Sequence, residues 1–321
     1  MTRLSKIGVA VVAALVALDV VLVTLALRHV SGNPAGLTDV VSTPRPTRTA
    51  SPAPSPSRTV SPEVRHRTAR PNPAAVADAQ RTLVDIGSDR AVARATSGRC
   101  GKGGAKVELS LDGGRTFEPA KIPAAAVVLR VASTDADKAY VVATDPDCRV
   151  VTTFTTTNGG GAWERTDGSE GSWHRLARAA ARIHAPTGAA DVPCERDQVV
   201  TGFSTLSTEQ AYALCSDGAV LRTVDGAKSW SPQGTVPGAT DLDFVDPSNG
   251  LAVTTSQPSC AGVAVLATTD GAKTWKARTC VKTSAGGVPD VSADGKRAYL
   301  AVGESVWFSD DGGSSWERRS S

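Results

Sequence analysis

The segment TVDGAKSW, Thr223 to Trp230, decides the fold, because the chain repeats its pattern four more times. The other copies are SLDGGRTF (Ser110 to Phe117), TTNGGGAW (Thr156 to Trp163), TTDGAKTW (Thr268 to Trp275) and SDDGGSSW (Ser309 to Trp316). Each reads hydroxyl residue, any, Asp or Asn, Gly, Gly or Ala, any, small residue, aromatic. An internal repeat constrains architecture more strongly than any other sequence feature. Asp-Gly between two β-rich runs is a hairpin signal, because the turn needs residues that tolerate positive φ. The Asp side chain can accept hydrogen bonds from backbone N–H groups of the turn. The terminal aromatic begins the outgoing strand and can bury a large apolar surface between neighbouring sheets. Asp112, Asn158, Asp225, Asp270 and Asp311 are therefore read as turn anchors. Phe117, Trp163, Trp230, Trp275 and Trp316 are read as packing residues.

Three strand-like runs precede each turn. In the second unit they are Val128 to Ser133, Ala139 to Thr144 and Arg149 to Thr157, with Trp163 to Thr166 after the turn. In the last unit they are Val288 to Ser292, Arg297 to Val302 and Ser305 to Ser309, followed by Trp316 to Arg319. Four short antiparallel strands per unit of about 45 residues match the blades of a β-propeller. The turn anchors are spaced by 46, 67, 45 and 41 residues, so one gap is long by 22. Treated as an insertion, that excess leaves an all-β propeller of about five four-stranded blades. Six blades, one of them degenerate, is the alternative. The repeated phrase resembles the Asp-box, or BNR repeat, of sialidases, sortilin-like receptors and photosystem II assembly-factor propellers. In those families the box lies in the turn between the third and fourth strands of a blade. The resemblance covers Val76 to Ser321; it is specific for fold and not for function.

The repeat also absorbs residues that would otherwise suggest catalysis. The three Tyr residues, Tyr140, Tyr212 and Tyr299, occupy one slot in the phrases KAYVVATD, QAYALCSD and RAYLAVG. A residue recurring in one slot of a repeat is packing, because repeats bury equivalent positions against their neighbours.

Ahead of the repeats, residues 1–6 are short and basic, and Ile7 to Leu27 is apolar apart from Gly8, Asp19 and Thr24. About 20 apolar residues span a bilayer. A secretory signal has a shorter apolar core and a small-residue cleavage site, which Thr24 to Leu27 does not offer. Residues 7–28 are read as an uncleaved transmembrane signal anchor rather than a cleaved signal peptide. The preceding Arg3 and Lys6 put the N-terminus in the cytoplasm and the rest outside. The expected location is the cell membrane, single-pass. Residues 31–75 are a Pro/Ser/Thr/Arg-rich linker that lacks the apolar surface needed to fold. The span, its flanks and the linker carry a net charge of +6 against a total of +3, which leaves the repeat domain at −3. Nucleic-acid binders present a basic face, so nucleic acid is not an expected partner.

Six cysteines outside the membrane point to disulfides. Cys100, Cys148, Cys215 and Cys260 sit at turns between second and third strands; Cys194 precedes a first strand and Cys280 ends a fourth. All six points fall on the face opposite the Asp-box turns. The expected pairs are Cys194–Cys215, Cys260–Cys280 and Cys100–Cys148. There is no CxxC, and of four His only His174 and His184 lie in the domain, so no metal or other cofactor is expected.

The long gap, about residues 166–198, contains GSWHRLARAAARIHAP, Gly171 to Pro186. Trp173, Leu176, Ala180 and Ile183 fall at helical spacing on one side, with His174, Arg175, Arg178 and Arg182 on the other. This predicts an inserted helix on the disulfide face. His174, Arg175, Arg178, Arg182 and His184 would form a basic surface for an anionic partner, or a merely solvated one. Trp173, outside any box, is expected to contribute less stability than Trp230 or Trp275. The reading is a non-enzymatic binding or assembly module of the cell envelope, with a protein or glycan partner and membrane attachment through the N-terminal helix. The alternative is a sialidase-like glycoside hydrolase. Such enzymes need an arginine cluster, a Tyr nucleophile with a Glu partner and an Asp acid/base. A deep pocket with clustered Arg and paired carboxylates would favour the enzyme.

Overall fold

The computed structural model describes residues 80–320, apart from 124, 170 and 178–180. The signal anchor, the linker and Arg178 lie outside the described residues. From Gln80 onward the chain forms six antiparallel sheets in sequence order, five of four strands and one of three. Blade 1 is β1 (Thr82–Ile86), β2 (Val92–Thr96), β3 (Lys106–Ser110) and β4 (Glu118–Pro119). Blade 2 is β5 (Val127–Ser133), β6 (Ala139–Thr144), β7 (Val151–Thr156) and β8 (Glu164–Asp167). Among the described residues, blade 3 is β9 (His174–Arg175), β10 (Arg182–Ala185) and β11 (Gly188–Asp191). Blade 4 is β12 (Val200–Thr205), β13 (Ala211–Cys215), β14 (Ala219–Thr223) and β15 (Ser231–Thr235). Blade 5 is β16 (Ala239–Phe244), β17 (Gly250–Thr254), β18 (Gly262–Thr268) and β19 (Lys276–Lys282). Blade 6 is β20 (Asp290–Asp294), β21 (Arg297–Val302), β22 (Ser305–Ser309) and β23 (Glu317–Ser320). The first strands β1, β5, β9, β12, β16 and β20 pack side by side, and β20 meets β1 to close the ring.

The propeller thus has six blades, and the 22-residue excess is the degenerate one. The inserted helix is not there: among the described residues the insertion is three short strands. Trp173 and Ile183 do share a buried side, as a helix would have placed them, but Ile183 reaches it from β10 and Trp173 from the residue just before β9.

Each Asp-box is one hydrogen-bonded device built five times. The first-position hydroxyl accepts the N–H four residues on, as in Ala227 N–H to Thr223 Oγ1 at 3.0 Å and Gly313 N–H to Ser309 Oγ at 2.8 Å. The same hydroxyl donates to the anchor, Thr223 to Asp225 Oδ1 at 2.8 Å. The anchor also accepts the N–H at the seventh position, Ser229 to Asp225 at 3.0 Å. In the four Asp boxes the seventh side chain donates its hydroxyl to the second carboxylate oxygen, at 2.5 to 2.7 Å. The one Asn box carries Ala162 there, and its amide has no second oxygen to offer. Positions four and five are left-handed in every box; Gly226 has φ 72° and Ala227 φ 69°. These bonds hold the anchors well below the usual carboxylate range, Asp225 and Asp270 at about 2. A general acid would need the opposite shift. Replacing Thr223 by the near-isosteric Val leaves the buried Ala227 N–H without its acceptor. We expect a loss of about 1–3 kcal/mol in urea unfolding; an unchanged midpoint would remove the hydroxyl from the account.

The box aromatics fill the seams. Trp163 packs on the core shared by blades 1 and 2, Trp275 on that of blades 4 and 5, Trp316 on that of blades 5 and 6, and Phe117 on that of blades 6 and 1. Trp230 does the same for blades 3 and 4. Blade 3 has no box, so its seam with blade 2 has no such aromatic. Two disulfides tie the neighbouring seams: Cys100–Cys148 joins blades 1 and 2, and Cys194–Cys215 joins blade 3 to blade 4, while Cys260–Cys280 lies within blade 5.

Candidate functional site

The inner edge of each first strand would leave backbone groups unpaired along the central channel, and buried N–H groups need partners. Side chains of the preceding blade supply them. Asp85 of β1 accepts Ser133 N–H of β5 at 2.8 Å, and Asp290 of β20 accepts Val84 N–H of β1 at 2.8 Å. Asp241 accepts Val291 N–H at 2.9 Å and Asp243 accepts Ala293 N–H at 2.7 Å, both from blade 5 to blade 6. Ser204 accepts Phe244 N–H at 2.9 Å and donates to Asp243 at 2.6 Å. Ser292 accepts Ile86 N–H at 3.3 Å.

These bonds align the strands into two tiers. Asp85, Ser204, Asp243 and Ser292 share one slot. Two residues earlier lie Leu83, Arg130, Gly202, Asp241 and Asp290. A register shift recurs at that earlier slot in blades 2, 4 and 5, between Val128 and Arg130, Val200 and Gly202, and Ala239 and Asp241. Gly202 is required there, because a Cβ would come within 2.8 Å of Asp241 Oδ1. First strands enter from the disulfide end, so the tier of Asp241 and Asp290 lies nearer that end.

Arginines complete the wall by satisfying carbonyls. Arg130 donates to Trp173 O at 2.7 Å and to Thr205 Oγ1 at 3.1 Å. Arg175 donates to Val200 O at 3.4 Å. Arg81, just before β1, reaches across the channel and donates to Thr201 O of blade 4. Together these residues enclose a cavity of about 240 Å³. Burial raises Asp85 to about 7 and Asp243 to about 6. It also raises Asp241 and Asp290, and Asp241 is lifted further by the charge of Asp290. Burial lowers Arg81 to about 9, helped by the Arg175 charge, and lowers Arg175 as well.

Four of the five residues read as a basic helix face, His174, Arg175, Arg182 and His184, are described, and they are dispersed. His174 is 1% exposed and lines the cavity. Burial pushes it down to about 3, with His184 and Arg130 adding to the effect. Its ring stacks on His184 with centroids 4.6 Å apart, and His184 donates Nδ1–H to Ser172 O at 3.0 Å. Arg175 also points into the cavity, whereas Arg182 is exposed and paired with Asp191 at 2.9 Å. No exposed basic stripe is formed by the described members of the set. The channel carboxylates are not among the expected site residues, because no acid outside the repeats stands out in the sequence. Their signal was an Asp inside otherwise apolar first strands: LVDI, TDLDF and PDVSA.

No family model matches the chain, and no curated protein matches it. Among solved structures it is similar to YCF48 bound to D1 peptide, at 16% identity over 75% of this chain and 81% of that one, TM-score 0.42. It is also similar to a fucose-specific lectin from Aleuria aurantia, at 11% identity over 75% and 94%, TM-score 0.44. A third is a GH74 xyloglucanase from Xanthomonas campestris, at 18% identity over 74% of this chain but only 38% of that chain, TM-score 0.32. Likeness of this degree carries no argument about what the chain binds or does.

Proposed function

We propose that this protein is a membrane-anchored, extracytoplasmic propeller that acts as a non-enzymatic binding or assembly module in the cell envelope, with a protein or glycan partner. The observation that carries the reading is the commitment of the channel carboxylates. Asp85, Asp241, Asp243 and Asp290 each accept a backbone N–H from the next blade, so each is a staple of the ring before it is anything else. The hydrolase reading draws on the same cavity, where three arginines meet carboxylates held above their ordinary range. It lacks a nucleophile of the sialidase type, since Tyr140, Tyr212 and Tyr299 sit in second strands and none lines the cavity.

The test uses the full chain in detergent, assayed against aryl glycosides that include sialosides. No turnover is expected; turnover that Asp290→Asn abolishes would overturn the reading. Cross-linking in intact cells should trap an envelope protein or glycan on the propeller. Mass spectrometry of the mature N-terminus tests the anchor separately: a chain beginning after Leu27 would refute the anchor and leave export standing.

A further inference from the structure

The boxes differ at their second position, and at one seam the difference opens a groove. Between blades 1 and 2 that position is Leu111, whose Cδ1 lies 3.9 Å from where a Cβ on Gly159 of the next box would be. Ala136, in the β5–β6 turn, brings its carbonyl to 3.3 Å of the same point. Only about 10 Å³ remains there. Between blades 5 and 6 the corresponding residues are Thr269 and, in the β20–β21 turn, Gly295. The alignment is fixed by one bond, since Gly159 N–H donates to Asp137 O and Gly312 N–H to Lys296 O. Nothing lies within 4 Å of a Cβ built on Gly295. The result is a groove of about 400 Å³ on the Asp-box face, a size typical of ligand sites.

The groove is apolar within and cationic at its edge. Leu251 and Ala298, 6% and 0% exposed, line it together with the half-buried Val245 and Ala267. Arg278 of β19 and Lys296 of the β20–β21 turn are exposed beside them. Arg278 Nε–H donates to Ser314 Oγ of the blade 6 box at 3.0 Å, which holds the guanidinium across the seam next to Gly312. Among the described residues neither cation has a carboxylate oxygen within 4.0 Å. The carboxylates at the groove are committed to their own turns. Asp246 accepts Ser248 and Asn249 N–H at 2.7 and 2.8 Å and the Asn249 amide at 2.8 Å. Asp311 accepts Ser314 and Ser315 N–H, both at 2.9 Å, and the hydroxyls of Ser309 and Ser315.

We infer that this groove binds an extended peptide segment of a protein partner, an acidic side chain on Arg278 and Lys296 and a neighbouring apolar side chain against Leu251 and Ala298. Charge complementarity selects the acid. A guanidinium whose Nη groups are unused takes a carboxylate through two parallel bonds, and charge-assisted bonds are about twice as strong as neutral ones. The apolar lining selects a peptide side chain over a sugar, since none of the described lining residues is aromatic and could offer a ring face. The inference rests on the binding-module reading and gives it a surface and a partner chemistry.

The test is selection from a random hexapeptide phage library on the immobilised full chain in detergent. Recovered sequences should place Asp or Glu beside Leu, Ile, Val or Met. The synthetic consensus peptide should bind about tenfold more tightly than its counterpart with Gln or Asn for the acid. Thr269→Leu fills the groove as Leu111 fills its own seam, and should weaken the peptide by about tenfold or more. Arg278→Gln and Lys296→Gln should each weaken it severalfold, with a loss that shrinks at high salt. All three positions are exposed, so thermal unfolding should not change. A consensus without an acid, a peptide that binds Thr269→Leu as well as wild type, or no enrichment at all would overturn the groove. The binding-module reading fails on a different result: cross-linking in intact cells that traps no envelope protein or glycan anywhere on the propeller.

Discussion

Stability of the propeller should peak near pH 4 and fall as the pH rises to 7.5. The cause is the set of channel carboxylates, whose folded pKa values are raised above the unfolded value of about 3.9. Asp85 stands at about 7 and Asp243 at about 6, with Asp241 and Asp290 also raised. Between pH 4 and 7 the folded state holds protons that the unfolded chain has released. Unfolding free energy then decreases with pH across that window. His174 acts the other way, because it stays neutral when folded and its unfolded form takes a proton below about 6.5. One histidine against four carboxylates reduces the slope without reversing it. Below pH 4 the Asp-box anchors take over. Their folded pKa values are depressed, so the stability they confer is lost as pH falls toward 2. The net loss between pH 4 and 7.5 is on the order of a few kcal/mol after allowing for coupling within the cluster. Asp290→Asn keeps an oxygen for Val84 N–H and removes a buried charge. It should therefore stabilise the protein at pH 7.5, change little at pH 4 and flatten the profile. A urea midpoint that climbs steadily from pH 4 to 7.5 would show that these carboxylates are ionised at little cost in the folded ring.

The sequence carried the fold where chemistry recurs at fixed spacing. A hydroxyl, an Asp and two left-handed positions specify the box locally, so its geometry could be read without tertiary information. The cysteine pairs were legible for a related reason, since strand order places their turns on one face. Blade 3 was not legible, because its strands β9 and β10 are two and four residues long, too short to show a period of two. Trp173, Leu176, Ala180 and Ile183 meanwhile imitate a helical stripe. What makes the segment β is its place in the ring, between Arg130 of blade 2 and β12 of blade 4, a tertiary cause that no local window contains. The channel was hidden differently. Asp241 and Asp290 look like ordinary polar positions of alternating strands, and only ring closure turns that polar face inward, away from bulk water.

The place of blade 3 in the ring also reverses the expected ranking of the tryptophans. Trp173, expected to matter less than the box residues, should be the most costly of the set to truncate. It is 4% exposed, sits in the core shared by blades 3 and 4, and packs on Phe203 with ring centroids 5.6 Å apart. Its indole N–H reaches Ser207 O at 2.9 Å, and its own carbonyl receives Arg130. Trp230 and Trp275 are only half-buried, and their indole nitrogens find no partner. Truncating a fully buried large aromatic costs about 3–5 kcal/mol, and a half-buried one roughly half of that. The consequence is greater at blade 3, which lacks a box aromatic on its blade 2 side and has three strands where the others have four. Trp173→Ala should therefore lower the urea midpoint more than Trp230→Ala or Trp275→Ala. Trp173→Phe keeps most of the burial and loses the bond to Ser207, so about 1–2 kcal/mol is expected. If Trp173→Ala unfolds no more easily than Trp230→Ala, blade 3 is a covering on the ring rather than a stave in it.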